Sequence, residues 1–123
     1  MTFPATRPRR LRINENLRSM VRETQLSPEQ FVYPMFVCPG EGIKKEISSM
    51  PGNYHWSVDE LIEEVRSVKS LGIGGVMLFG NPEKKDDAGT GAYDEHGIAQ
   101  EAVRALKREV PGILLITDVC LCE

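Results

Sequence analysis

The apolar positions of the chain fall into two kinds of run. Three runs are short and unbroken: Phe31-Val-Tyr-Pro-Met-Phe-Val37, Val76-Met-Leu-Phe79 and Ile113-Leu-Leu-Ile-Thr-Asp-Val119. Their length and their β-branched and aromatic content predict buried strands. Two longer segments repeat at helical spacing. Leu61, Ile62, Val65 and Val68 share one face, with Glu63, Glu64, Arg66 and Lys69 on others. Ile98, Ala102, Val103 and Leu106 line one face of a segment from Gly97 to about Glu109. Such stripes predict amphipathic helices that bury one side.

The boundaries carry their own signals. Ser57-Val-Asp-Glu60 reads as a capping box, with the serine hydroxyl meeting the Glu60 amide and the glutamate reaching back. Gly72 supplies the left-handed cap that ends this helix. Gly74-Gly75 leads into the second strand, and Pro111-Gly112 stops the second helix. Asn14 is an N-cap for a short earlier helix, with Leu17, Met20 and Val21 on one face and Arg18 and Arg22 on another. Ser27-Pro28 then breaks the chain. Pro34 lies inside the first strand and donates no ladder hydrogen bond, so that strand must be incompletely paired, bulged or just beginning there.

The resulting order is arm, β, α, β, α, β. Continuous apolar strands separated by amphipathic helices predict a parallel sheet covered on both faces. The strand starts lie about 40 residues apart, a repeat of architecture without a repeat of sequence. Between the second strand and the second helix, residues 81–96 are polar, rich in Lys, Asp and Gly, and without period. A connection of that length is expected to be functional or mobile.

Composition narrows the class. With 123 residues, 41% hydrophobic, and a net charge of −3, the chain builds one core and is not disordered. No apolar run approaches the ~20 residues of a bilayer helix. The start, MTFPATRPRR, lacks the apolar region of a secretory signal. Three cysteines are too few for a disulfide scaffold and point to a reducing, cytoplasmic setting.

Charge is divided along the chain. Residues 1–26 hold six Arg against two Glu, a balance of +4, and residues 27–123 hold nine basic against sixteen acidic groups, a balance of −7. Two parts follow: a basic arm with its short helix over 1–26, and an α/β body over 27–123. A basic arm on an acidic body suits docking on a sister subunit. No aromatics interleave with the arginines as single-stranded nucleic acid would require, so no nucleic-acid partner is expected.

The residues with most chemical content come last. On an extended backbone Asp118, Cys120 and Cys122 project to one side, while Val119 and Leu121 point the other way into apolar packing. In a parallel α/β protein this is the carboxyl end of a strand, where catalytic groups collect. Two thiolates on one side make half of a tetrahedral zinc site. The competing reading is two buried core cysteines, which an adjacent carboxylate makes costly.

Other candidates carry less. Cys38 follows the first strand as a loop or core residue, and His55 and His96 read as surface loop histidines. Gly72-Ile-Gly-Gly75 precedes a strand and is not a phosphate loop. Lys84 and Lys85, beside Asp86 and Asp87, read as solvated charges. None of the six lysines lies on an apolar strand, where burial would activate it for Schiff-base chemistry.

Six segments together resemble the amino-terminal part of the delta-aminolevulinic acid dehydratase (porphobilinogen synthase) family. They are Arg7-Pro-Arg-Arg-Leu-Arg12, Phe31–Val37, Ser49-Met-Pro-Gly52, Gly75-Val-Met-Leu-Phe-Gly80, Asp94–Ala105 and Thr117-Asp-Val-Cys-Leu-Cys122. The resemblance implies a (β/α)8 TIM barrel, of which the chain carries the arm, three strands and two helices. It implies condensation of two 5-aminolevulinate molecules to porphobilinogen with loss of two waters, early in tetrapyrrole (haem, chlorophyll, cobalamin) synthesis. It also implies a homo-octamer joined through the arm. Cys120 and Cys122 become two of three cysteine ligands of zinc, with Asp118 lining that site, and the use of magnesium stays open. The third cysteine and the two Schiff-base lysines of the family have no counterpart here, so the 123-residue chain alone is expected to be inactive. The alternative is a short, non-catalytic binding or assembly module built on the same framework.

Overall fold

The computed structural model describes residues 2–119. Three apolar runs form strands close to their expected bounds: β1 is Val32–Val37, and the later two are Gly75–Gly80 and Leu114–Thr117. Two further strands, β2 (Lys44–Glu46) and β3 (Tyr54–Trp56), lie between β1 and the first long helix, so the later pair are β4 and β5. The sheet order is β2-β3-β1-β4-β5. β3, β1, β4 and β5 are parallel, and β2 runs antiparallel on the β3 edge. The sequence pattern did not predict this hairpin. Each strand has three residues, and β2 is polar and wholly exposed, so no apolar period marks it.

Pro34 sits in the middle of β1 without breaking the ladder. Val37 O accepts from the Asn81 amide (2.8 Å), so position 37 faces the β4 side. The Cys38 amide donates to Trp56 O (2.8 Å), so position 38 faces the β3 side. Alternation turns Pro34 toward β3 as well. β3 pairs only with Phe36 and Val37, so nothing there needs the missing donor. Of the tolerances expected, incomplete pairing is the one used.

The helices follow their stripes. α1 is Glu15–Met20, α2 is Val58–Ser70, and α4 is Ile98–Glu109, with a one-turn α3 (Thr90–Tyr93) inside the polar connection. Leu61, Val65 and Val68 of α2 and Ala102, Ala105 and Leu106 of α4 are buried. All but Ala105 meet Met35 and Val37 of β1 and Val76 and Leu78 of β4 in one core. Gly72 takes φ +84° and its amide bonds Lys69 O (3.0 Å), closing α2 as expected.

Two expectations are corrected. Among the described residues both long helices lie on the Met35/Val37 side, so the sheet is covered on one face rather than both. The opposite face carries Phe36, Met77, Phe79 and Ile116, each half-buried. Unbroken apolar strands would fit either arrangement, because pattern alone does not say what covers the second face.

The capping box is also absent. Ser57 precedes α2 but bonds no amide of its first turn. Its fully buried hydroxyl accepts from the Ile43 amide (2.8 Å), and its own amide donates to Ile43 O (2.9 Å). The hairpin competes for the hydroxyl that the local motif assigned to Glu60.

In the arm, Asn14 Oδ1 accepts from the Leu17 amide (2.9 Å), the expected N-cap. The apolar stripe it introduces reaches no core: Leu17 is half-buried, Val21 exposed, and Met20 83% exposed. Arg18 and Arg22 both pair with Glu15. No described helix is long and apolar enough to cross a membrane.

Candidate functional site at the strand ends

The carboxyl ends of β4 and β5 open into a cleft of about 520 Å³. One side is Gly80 and Thr117–Val119, another is the first half of α4, and the third is the connection from Pro82 to Ala92. The floor is apolar, from Ile98, Ala99 and Val103, and Lys84, Lys85, Asp86, Arg104 and Asp118 supply polar rims. A concave apolar surface with a few convergent polar groups is the usual form of a ligand site.

Asp118 stands where the sequence placed it, at the end of β5. Its amide donates to Leu78 O (3.2 Å), extending the β4 ladder by one bond beyond the strand. Its carboxylate is exposed and accepts from the Val119 amide (2.9 Å). Val119 does not pack as expected: it is 96% exposed. The Cys120, Leu121 and Cys122 assignments lie outside the described residues. Among the described residues no three His, Cys, Asp or Glu side chains gather as a metal site.

Other candidates separate by position. Cys38, free and half-buried, follows β1; burial raises its thiol pKa, partly opposed by the charge of Lys45. His55 is not a loop residue. It lies in β3, half-buried, with its ring edge-on to Phe36 at 6.1 Å, and Phe36 stacks on Phe79 at 5.2 Å. Those three rings continue the uncovered face of the sheet. His96 is an exposed loop residue, as expected. Lys84 and Lys85 are exposed on the cleft wall, and no lysine is buried. On the opposite edge, the Lys44 ammonium lies over the rings of Tyr54 (4.9 Å) and Trp56 (4.7 Å).

The connection expected to be functional or mobile has a definite structure. The Asp86 carboxylate accepts from the Thr90 amide (2.9 Å) and hydroxyl, which hold its pKa below the ordinary carboxylate range. Gln100 Nε2 donates to Ala92 O (2.8 Å), and Arg104 donates to Glu95 O. The Gly97 amide bonds Asp94 O (2.9 Å), and a Cβ at Gly97 would lie 2.7 Å from Gly91 O. Gln100 and Arg104 were missed in the sequence. Their only signal was an i, i+4 polar pair on one side of α4, which is equally the mark of a solvated face.

A mixed α/β sheet with polar groups collected at the carboxyl ends of its parallel strands defines the class of α/β proteins that bind ligands there. Comparison narrows this to one family. The family model for delta-aminolevulinic acid dehydratase matches residues 5–123, and the chain belongs to that family. It is 51% identical over 121 residues to a delta-aminolevulinic acid dehydratase of Synechococcus elongatus, covering 98% of this chain and 37% of the relative. It is 48% identical over 123 residues to that of Bacillus subtilis, covering 100% of this chain and 38% of the relative. Its fold is similar to a Toxoplasma gondii delta-aminolevulinic acid dehydratase (porphobilinogen synthase) solved with the reaction product porphobilinogen. That likeness has a TM-score of 0.81 at 38% identity and covers 94% of this chain and 33% of that one. The chain thus spans about a third of the length of these relatives.

Proposed function

We propose that this chain is the amino-terminal portion of a porphobilinogen synthase, a hydro-lyase that joins two 5-aminolevulinate molecules into porphobilinogen and releases two waters. The match from residue 5 to 123, together with the likeness to a product-bound dehydratase, carries this reading. In this reading β1, β4 and β5 are three strands of a (β/α)8 barrel. The face bearing Phe36, Met77, Phe79 and Ile116 becomes the barrel interior, which in such barrels is filled with side chains. That role accounts for apolar residues on both sides of strands that helices cover on one side only. Residues 1–26 form the arm, and residues 27–123 belong to the barrel.

Within the barrel the chain's own residues divide the work. The cleft at the ends of β4 and β5 has its apolar floor on α4, on the helix-covered side of the sheet, and Asp118 shares the opposite face with Ile116. Asp118 lines the site and offers a carboxylate to the ammonium group of a bound 5-aminolevulinate. Cys120 and Cys122 would hold zinc, and two thiols two residues apart after a strand-end aspartate are suitable donors. When bound, the metal would supply Lewis-acid polarisation of substrate or water. Substrate carbonyls are held as Schiff bases by lysines outside these 123 residues, since Lys44, Lys45, Lys69, Lys84, Lys85 and Lys107 all lack the burial such chemistry needs. The arm, with six arginines and the exposed Ile13 and Met20, docks on a sister subunit in a cytoplasmic homo-oligomer.

The test is direct. Purified full-length protein supplied with zinc and 5-aminolevulinate forms the pyrrole product, whereas the 123-residue chain does not. A full-length protein that leaves 5-aminolevulinate unchanged overturns the reading.

A further inference from the structure

The segment between β4 and α4, expected to be functional or mobile, is tied at three points. Asp86 closes one turn on Thr90. Gln100 reaches back eight residues to Ala92 O, and Arg104 reaches back nine to Glu95 O. Ala92 lies in the one-turn α3 and Glu95 just beyond it. Both donors project from α4, which is anchored in the core by Ala102, Ala105 and Leu106. The ties therefore run from a rigid element to an irregular one, and the irregular one forms a wall of the cleft.

We propose that Gln100 and Arg104 are positioning residues. By fixing the 82–97 segment to α4 they keep the strand-end cleft preformed, so that a substrate meets a built wall rather than one that must order around it. Ordering a segment at the moment of binding costs affinity, and a preformed wall avoids that cost. Neither residue is required to touch the reacting atoms. The role in catalysis rests on the porphobilinogen synthase reading; the clamp itself does not.

Two readouts on the full-length protein separate these layers. Lys84 and Lys85 make the wall a trypsin site, and when opening is fast relative to cleavage the rate follows the open population. Replacing Gln100→Leu or Arg104→Met removes one tie and raises cleavage there about fivefold, the worth of one hydrogen bond of average strength. Cleavage at Arg66 and Lys69 of α2 is unchanged, which a general loss of stability would not allow. Arg104→Lys, which keeps a donor, restores much of the protection. In the synthase assay the same variants raise KM several-fold with kcat nearly constant. Equal cleavage after Lys84 in wild type and both variants overturns the clamp, whether or not the protein turns over 5-aminolevulinate. Faster cleavage with KM unchanged in an active enzyme overturns the positioning role. An inactive wild-type protein whose variants still show selective cleavage refutes the synthase reading and, with it, the positioning role, while the clamp stands.

Discussion

Replacing Ser57→Ala separates two accounts of one hydroxyl. In the tertiary structure that hydroxyl is fully buried and accepts from the Ile43 amide at 2.8 Å, while the backbone bond from the Ser57 amide to Ile43 O holds the hairpin in place. Alanine keeps the second bond and strands the first donor. A buried amide left without a partner costs about 1–3 kcal/mol. Ile43 is only half-buried, so water relieves part of this, and about 1–2 kcal/mol is expected, a factor of about 5–30. The effect is local, since β2 and β3 open without dismantling the core. Hydrogen exchange of the full-length protein is the suitable assay: the Ile43 amide should exchange about 5–30 times faster in the variant. Glu60→Ala should leave Ile43 unchanged, because no bond joins Glu60 to Ser57. If Glu60→Ala instead matched Ser57→Ala, or if Ile43 were indifferent to Ser57→Ala, the capping box would be the correct account and the hairpin bond would be wrong.

The remaining predictions concern other layers of the molecule. Leu106→Ala, at a fully buried site between α4 and the sheet, should lower stability by about 2–5 kcal/mol in denaturant titration. Glu63→Ala, which breaks an exposed pair with Arg66, should cost at most about 1 kcal/mol. The Asp59 carboxyl is held below its ordinary value by the Ser57 hydroxyl and by the Gly42 amide at 2.8 Å. A depressed carboxyl stabilises fully above its unfolded pKa, near ~3.9. Protection of the Gly42 amide, corrected for intrinsic exchange, should therefore hold at neutral pH and fall only in acid below that value; a loss centred near neutrality would contradict it. In the full-length protein, Cys120→Ser or Cys122→Ser should weaken zinc by more than the about 10–100-fold of outer-shell changes, measured by chelator competition under reducing conditions. Unchanged affinity would remove those residues from the site. Deleting residues 1–12 should shift the protein to smaller assemblies in light scattering, and an unchanged mass would refute arm docking.

The three apolar strands, the two long helices, the Asn14 cap and the Gly72 stop are legible in the sequence. Each of these is written in a period or a residue type acting within a few positions, and strand or helix burial repeats it often enough to be read. The place of Asp118 at the end of β5 was likewise legible, because the apolar run before it marks the strand. The other features depend on segments distant in the chain. Pro34 is tolerated because β3 begins too late to pair with it, some twenty residues away. The hydroxyl of Ser57 serves Ile43 instead of its own helix because a hairpin donor arrives from outside the local window. The polar 81–96 connection is tied because Gln100 and Arg104 reach back from α4, and polar residues on a helix look alike whether they meet water or a carbonyl. Which sheet face the helices cover is settled the same way: an unbroken apolar run records that both faces are shielded, and packing decides by what.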